Sequence, residues 1–132
     1  MLYGAETWPI KKEQERRMEV AEMRMLRWLC DITKRDKIRN ELIRGTVKVL
    51  EVSKKAQGRR LKWFGHVMSS EDEHVVCKRV MHLEMEDRRW RGRPVFRWKD
   101  KLLNDMKEKG LRERDEQDRG RWKRLTRNSD PI

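Results

Sequence analysis

The sequence predicts an all-α protein of five or six short helices, joined by basic turns and loosely packed around a thin core. Three observations lead there. Apolar residues recur at spacings of three and four along most of the 132-residue chain, the period of one helix face. Charged residues make up 44% of the chain and hydrophobic ones only 36%, where charged residues usually make up about 25%, so little apolar material is available to bury. Six Trp and eight Met nevertheless supply the bulky apolar side chains that disordered segments lack.

From Lys11 to Ile32 the residues Met18, Ala21, Met25, Trp28, Leu29 and Ile32 form one apolar stripe, with Glu, Lys and Arg filling the other faces, which predicts the first helix. Pro9 suits its first turn, Thr7 or Trp8 stands near its cap, and Glu13 and Glu15 sit where the helix dipole favours acids. Between Thr33 and Gly45 a short helix could begin at Asp36 or Asn40, both good N-caps, and end with Gly45 as its C-cap. A third helix is predicted over about 47–68, with Val49, Leu50, Ser53, Leu61, Phe64 and Met68 on one side. Gly58 weakens its middle by about 1 kcal/mol relative to Ala.

The run Ser69-Ser70-Glu71-Asp72-Glu73 breaks that helix and caps a short element bearing Val75, Val76, Val80, Met81 and Leu83. Its β-branched residues suit a helix or a strand. Pro94 then opens a helix carrying Trp98, Leu102 and Met106 at spacings of four and stopping at Gly110. A last helix is expected over about 114–127, anchored by Trp122 and Leu125.

The net charge is +12, and its surplus lies in two places. Lys54, Lys55, Arg59, Arg60 and Lys62 occupy a run without acids over 54–70, and Arg88, Arg89, Arg91, Arg93, Arg97 and Lys99 occupy another over 88–99. Elsewhere bases and acids nearly balance. Such a footprint points to the backbone of a nucleic acid, RNA or DNA, gripped with weak sequence preference by these eleven residues; solvated basic faces are the alternative. The aromatic residues are scattered and do not form one stripe opposite the bases, and no apolar run approaches 18 residues, so no membrane partner is expected. With only Cys30 and Cys77 and no signal peptide, a reduced intracellular setting, nuclear or cytoplasmic, is the expectation.

Arg91-Gly92-Arg93-Pro94 is the core of an AT-hook, an arm that inserts arginine into a narrow A·T minor groove. Trp90, Phe96 and Trp98 flank it and suggest burial, so the better expectation is a basic turn entering a packed helix. An AT-hook-like DNA binder stays open as an alternative. His74-x-x-Cys77-x4-His82 offers three zinc ligands where a structural site needs four, and Cys30 is distant. His66 lies between apolar neighbours and suits a hydrogen-bonded structural role better than that of a base, and Gly65 suits a close helix contact. No Ser or Cys has an evident activating partner. No metal, cofactor or catalytic residue is therefore expected.

Four stretches in order carry a resemblance. Leu2-Tyr3-Gly4-Ala5-Glu6-Thr7-Trp8, then Arg60-Leu61-Lys62-Trp63-Phe64-Gly65-His66-Val67, then Arg91-Gly92-Arg93-Pro94 with Arg97-Trp98-Lys99-Asp100, then Gln117-Asp118-Arg119 with Trp122 and Leu125, resemble the segment after the polymerase domain in endonuclease/reverse transcriptase proteins of LINE-like, non-LTR retrotransposons of the RTE-like type. The resemblance implies that residues 1–8 are the exit from an upstream reverse-transcriptase domain, which is also a possible partner. It implies a helical, thumb-like segment over 9–68, a short element and basic linker over 69–93, a helical pair over 94–127 and a tail over 128–132. It further implies a grip on template RNA and primer DNA. The parent family is an RNA-directed DNA polymerase with an endonuclease, but a polymerase holds two Mg²⁺ on paired aspartates, and this chain has no Asp-Asp pair. The expectation is a non-catalytic fragment that begins just past the catalytic domain, with any Mg²⁺ belonging to the missing part. The alternative is a structural or interaction relic without a nucleic-acid role, whose Trp-rich faces once packed on the polymerase.

Overall fold

The computed structural model describes residues 2–69, 75–83, 91–92 and 97–127. Among them are α1 (Lys12–Leu29), a 3₁₀ turn (Lys34–Asp36), α2 (Asn40–Val47), α3 (Val52–Ser69), α4 (Val75–His82), α5 (Trp98–Lys109), a second 3₁₀ turn (Glu113–Gln117) and α6 (Arg119–Leu125), with no strand. The all-α class is as expected, and the ambiguous element after residue 74 is a helix.

Everything is arranged around α3, which touches α1, α4, α5, α6 and the second 3₁₀ turn. Its Leu61 and Phe64 meet Leu102 and Met106 of α5, Leu111 and Trp122 in the main core. Ala56 packs on Ala5 and Ile10 of the N-terminal turn. Met23 and Leu26 of α1 close a third cluster on Ile43 of α2. Each large side chain so buried contributes about 1.5–3 kcal/mol.

Two helix starts differ from expectation for one reason. α1 begins at Lys12, not near Thr7, because the Lys11 N–H donates forward to the Gln14 side chain at 2.9 Å, while the Thr7 hydroxyl donates to the Gly4 carbonyl at 3.0 Å in a separate turn. α5 begins at Trp98 rather than Pro94, with the Arg97 N–H donating to Asp100 at 3.2 Å. Thr33 uses the same device: its N–H and hydroxyl donate to Asp36 at 2.7 and 2.8 Å. Those bonds hold the Asp36 carboxyl below the usual carboxylate range. In each case the acceptor lies three residues inside the helix, where a search for N-cap residues does not look.

Three helix ends share a second device. Asp31, Lys48 and Gly110 are left-handed, with φ of 56°, 55° and 65°. The next N–H reaches back five residues, Ile32 to the Arg27 carbonyl (2.9 Å), Val49 to Arg44 (3.3 Å) and Leu111 to Met106 (2.9 Å), and each of these residues packs into a cluster. This is the Schellman ending with its hydrophobic contact. It explains why α2 runs through Gly45, its expected cap, to Val47: one further turn brings Val47 and Val49 onto Ile43.

The stripe on α1 is only partly where periodicity placed it: Met18 and Ile32 pack into clusters, but the middle of the helix is turned. Glu22, Met23 and Leu26 face inward, while Met25, Leu29 and Trp28 are exposed, the last at 83%. Glu22 is the cause. Its carboxylate lies 2.8 Å from Arg44 of α2 and accepts from the Val52 N–H at 3.4 Å, so the inward face contains an acid that a hydropathy pattern assigns to water.

Arg60 requires the largest correction. Expected as a phosphate contact, it is wholly buried, and its Nε donates to Asp105 of α5 at 2.8 Å with both side chains out of water. Neither of its Nη groups meets an acceptor among the described residues. A buried charge left alone is costly, whereas replacing a whole ion pair by apolar groups is often neutral. Asp105→Ala should therefore destabilise the protein by about 3–5 kcal/mol in urea unfolding, and the double variant R60M/D105L by much less; similar losses in both would show that the pair itself is not the source.

The left-handed endings supply a second check. A side chain in that conformation costs about 1–2 kcal/mol, partly offset by the greater freedom of glycine in the unfolded chain. Lys48→Gly should stabilise by about 0.5 kcal/mol and Gly110→Ala destabilise by about 1 kcal/mol, measured as opposite shifts of the thermal midpoint.

Candidate nucleic-acid interface

With three sides of α3 buried, one stripe is left to water. Lys55, Arg59, Lys62, His66 and Ser69 follow one another at spacings of three and four, so they share a face. α6 lies beside that face because position 65 is glycine. The Trp122 indole sits directly on the α3 backbone there, its Nε1–H donating to the Leu61 carbonyl at 3.1 Å and its ring 5.9 Å from Phe64. A Cβ on Gly65 would overlap the indole. The Asp118 side chain accepts from the Arg121 N–H at 2.9 Å and starts α6.

The result is a groove of about 1120 Å³ between α3 and α6. One side presents Lys55, Arg59, Lys62 and His66, and the other presents Arg119, Lys123, Arg124 and Arg127. No Asp or Glu is among the described residues that line it. Arg59 is also tied to the chain start, its Nη1 donating to the Leu2 carbonyl at 3.0 Å. A smaller concavity of about 450 Å³ between α1 and α2 differs in kind: Arg16, Arg24, Arg27, Lys34 and Arg44 share it with Glu19, Glu41 and Glu51, so acids offset much of its positive charge.

The eleven residues singled out from sequence divide accordingly. Lys55, Arg59 and Lys62 line the groove. Lys54 is exposed on α3, 3.6 Å from Glu51. Arg60 is in the core. Arg91 and Lys99 are exposed and Arg97 is half-buried at the start of α5. Arg88, Arg89 and Arg93 lie outside the described residues, as do Pro94 of the AT-hook core and His74 of the zinc motif. Cys77 and His82 are on α4, and among the described residues no three His, Cys, Asp or Glu side chains converge as a metal site requires.

The second side of the groove was missed. Residues 119–127 hold Arg119, Arg121, Lys123, Arg124 and Arg127 without an acid, a run as distinctive as 54–70. It was hidden by Glu113, Asp115, Glu116 and Asp118 just before it, which neutralise it in a running count. In space Asp115 accepts from the Arg112 N–H and Asp118 caps α6, so neither lines the groove.

Described residues from each of the four stretches that carry the resemblance meet on α3. Trp98 donates to the Glu6 carbonyl at 2.8 Å and stacks edge-on against Trp63 at 5.4 Å, and Trp122 closes the opposite side. Comparison of the chain with protein-family models, curated proteins and solved structures finds no match.

Since the groove depends on the contact at position 65, Gly65→Ala should cost about 1–3 kcal/mol through overpacking and displace the Trp122 indole N–H resonance in a ¹H–¹⁵N spectrum. Gly120→Ala, whose added Cβ would meet only Asp118 Oδ1 at 3.5 Å, should leave both unchanged.

Proposed function

We propose that the chain is a non-catalytic nucleic-acid-binding module that holds the phosphate backbone, as its similarity to the post-polymerase segment of non-LTR reverse transcriptases implies. The observation that supports this most is the groove between α3 and α6, lined by six Lys and Arg side chains of the two helices and by Arg127 just after α6, with no acid among the described lining residues. Clefts lined by one sign of charge focus the field and attract polyanions. The proposal includes no polymerase or nuclease chemistry of the chain's own, because its sequence has no Asp-Asp pair to hold two metal ions.

A second reading has one observation in its favour. The exposed Met25, Trp28 and Leu29 on α1 are what a face packed on an upstream polymerase domain would present, with no nucleic-acid role required.

A salt titration separates the two. With about five phosphate contacts the log–log slope lies between about −3.5 for single strands and −4.5 for duplex, so affinity should fall about 10²–10³-fold from 50 to 200 mM salt. The variant K62Q/K123Q/R124Q should weaken binding evenly across sequences and flatten the slope by about 2–3. R16Q/R17Q/R24Q should bind like wild type, since Arg17 is already 2.7 Å from Glu13 and Arg16 and Arg24 border a concavity that also carries Glu19, Glu41 and Glu51. Equal losses in both variants, or no binding at 50 mM salt, would leave the polymerase-facing reading as the better account. A loss of A·T selectivity in Arg91→Gln would instead favour the AT-hook.

A further inference from the structure

The kind of strand that fits the groove is narrower than any polyanion. We infer that it seats a single nucleic-acid strand by its sugar–phosphate backbone with the bases turned outward, an inference that rests on the nucleic-acid reading above.

Three features of the groove carry it. The first is the lack of a stacking platform. Proteins that take single strands bases-inward stack them on aromatic rings, but Trp122, the one Phe, Tyr or Trp among the described lining residues, is 5% exposed and its N–H is committed to the Leu61 carbonyl. A base entering the groove would lose water and find no ring there larger than the His66 imidazole.

The second is how few base readers there are. Adenine is read by Asn and Gln and cytosine by acids, and no Asn, Gln, Asp or Glu is among the described lining residues. The Lys and Arg that remain could read guanine alone, and as contacts to phosphate they position a strand without reading it.

The third is width. Helices in contact stand about 8–10 Å apart, and here they meet at Gly65 and Trp122. A duplex would rest on the rims, whereas one backbone can descend between the rows. On α3 the cations recur every three or four residues, about 5–6 Å apart, a spacing that offers one charge to each of several successive phosphates. Two facing rows allow each phosphate to be approached from both sides.

The experiment uses the whole chain at 50 mM salt and three labelled probes: a twelve-nucleotide oligo-dT, the same length of abasic strand with every phosphate kept, and a twelve-base-pair duplex. The abasic strand should bind within threefold of oligo-dT, and the duplex no more than threefold tighter despite its higher charge density. K62Q/K123Q/R124Q should weaken the abasic and the normal strand by the same factor. A loss above threefold on removing the bases would mean that they enter the groove, and a duplex preference above threefold would mean that a double helix is the ligand. Either result overturns the single-strand inference while leaving nucleic-acid binding intact. Failure of all three probes to bind overturns the parent reading with it.

Discussion

One helix must satisfy several partners at once, and that constraint organises the molecule. α3 receives α1, α5 and α6 on different sides, and half of its eighteen residues are buried. A chain with so high a charge content cannot supply apolar residues at every one of those positions. Gln57, Arg60 and the two glycines 58 and 65 fill the remainder. Three of them solve a local problem: Gln57 donates to Glu108 of α5 at 2.6 Å, Arg60 pairs with Asp105, and Gly65 gives its volume to Trp122.

The polar tertiary contacts follow from the same shortage. Lys101 to Glu15 at 2.8 Å joins α5 to α1, and Arg44 to Glu22 joins α2 to α1. These are half-shielded or buried pairs, not the exposed ion pairs that contribute little. They also limit alternative arrangements, because a slipped helix would leave several charges buried and uncompensated. In a thin core, polar groups and aromatic N–H donors fix the positions that a larger protein would fix by apolar shape alone. Trp98 and Trp122 show this directly, each combining a packed ring with a hydrogen bond to a carbonyl.

Much of this was legible in the sequence, and what was not shares a cause. Helix period placed α1, α2, α3 and α5, left α4 open between helix and strand, and ran α6 together with the 3₁₀ turn before it; Gly110 ended α5 where expected. The central helix was seen, and Gly65 was rightly expected to permit a close contact. Hydropathy went wrong wherever a charged residue points inward: Glu22 turned the face of α1, and Arg60 was counted as surface. Counting charge along the chain found three of the groove's lining cations on α3 but averaged away those near α6, since acids adjacent in sequence cap helices and do not face the groove. Which charges cap, which pair and which meet solvent is decided by three-dimensional neighbours.

The interleaving on α3 has an evolutionary consequence. Groove positions 55, 59, 62 and 66 alternate with core positions 56, 60, 61 and 64 on the same turns, so both are set by one helical register. A point substitution can alter the groove's charge without touching the core. A single inserted residue cannot: it would rotate everything after it by about 100°, turning lysines inward and Leu61 and Phe64 to water. Lineages of this chain should therefore explore binding strength by substitution within α3 and change length only outside it.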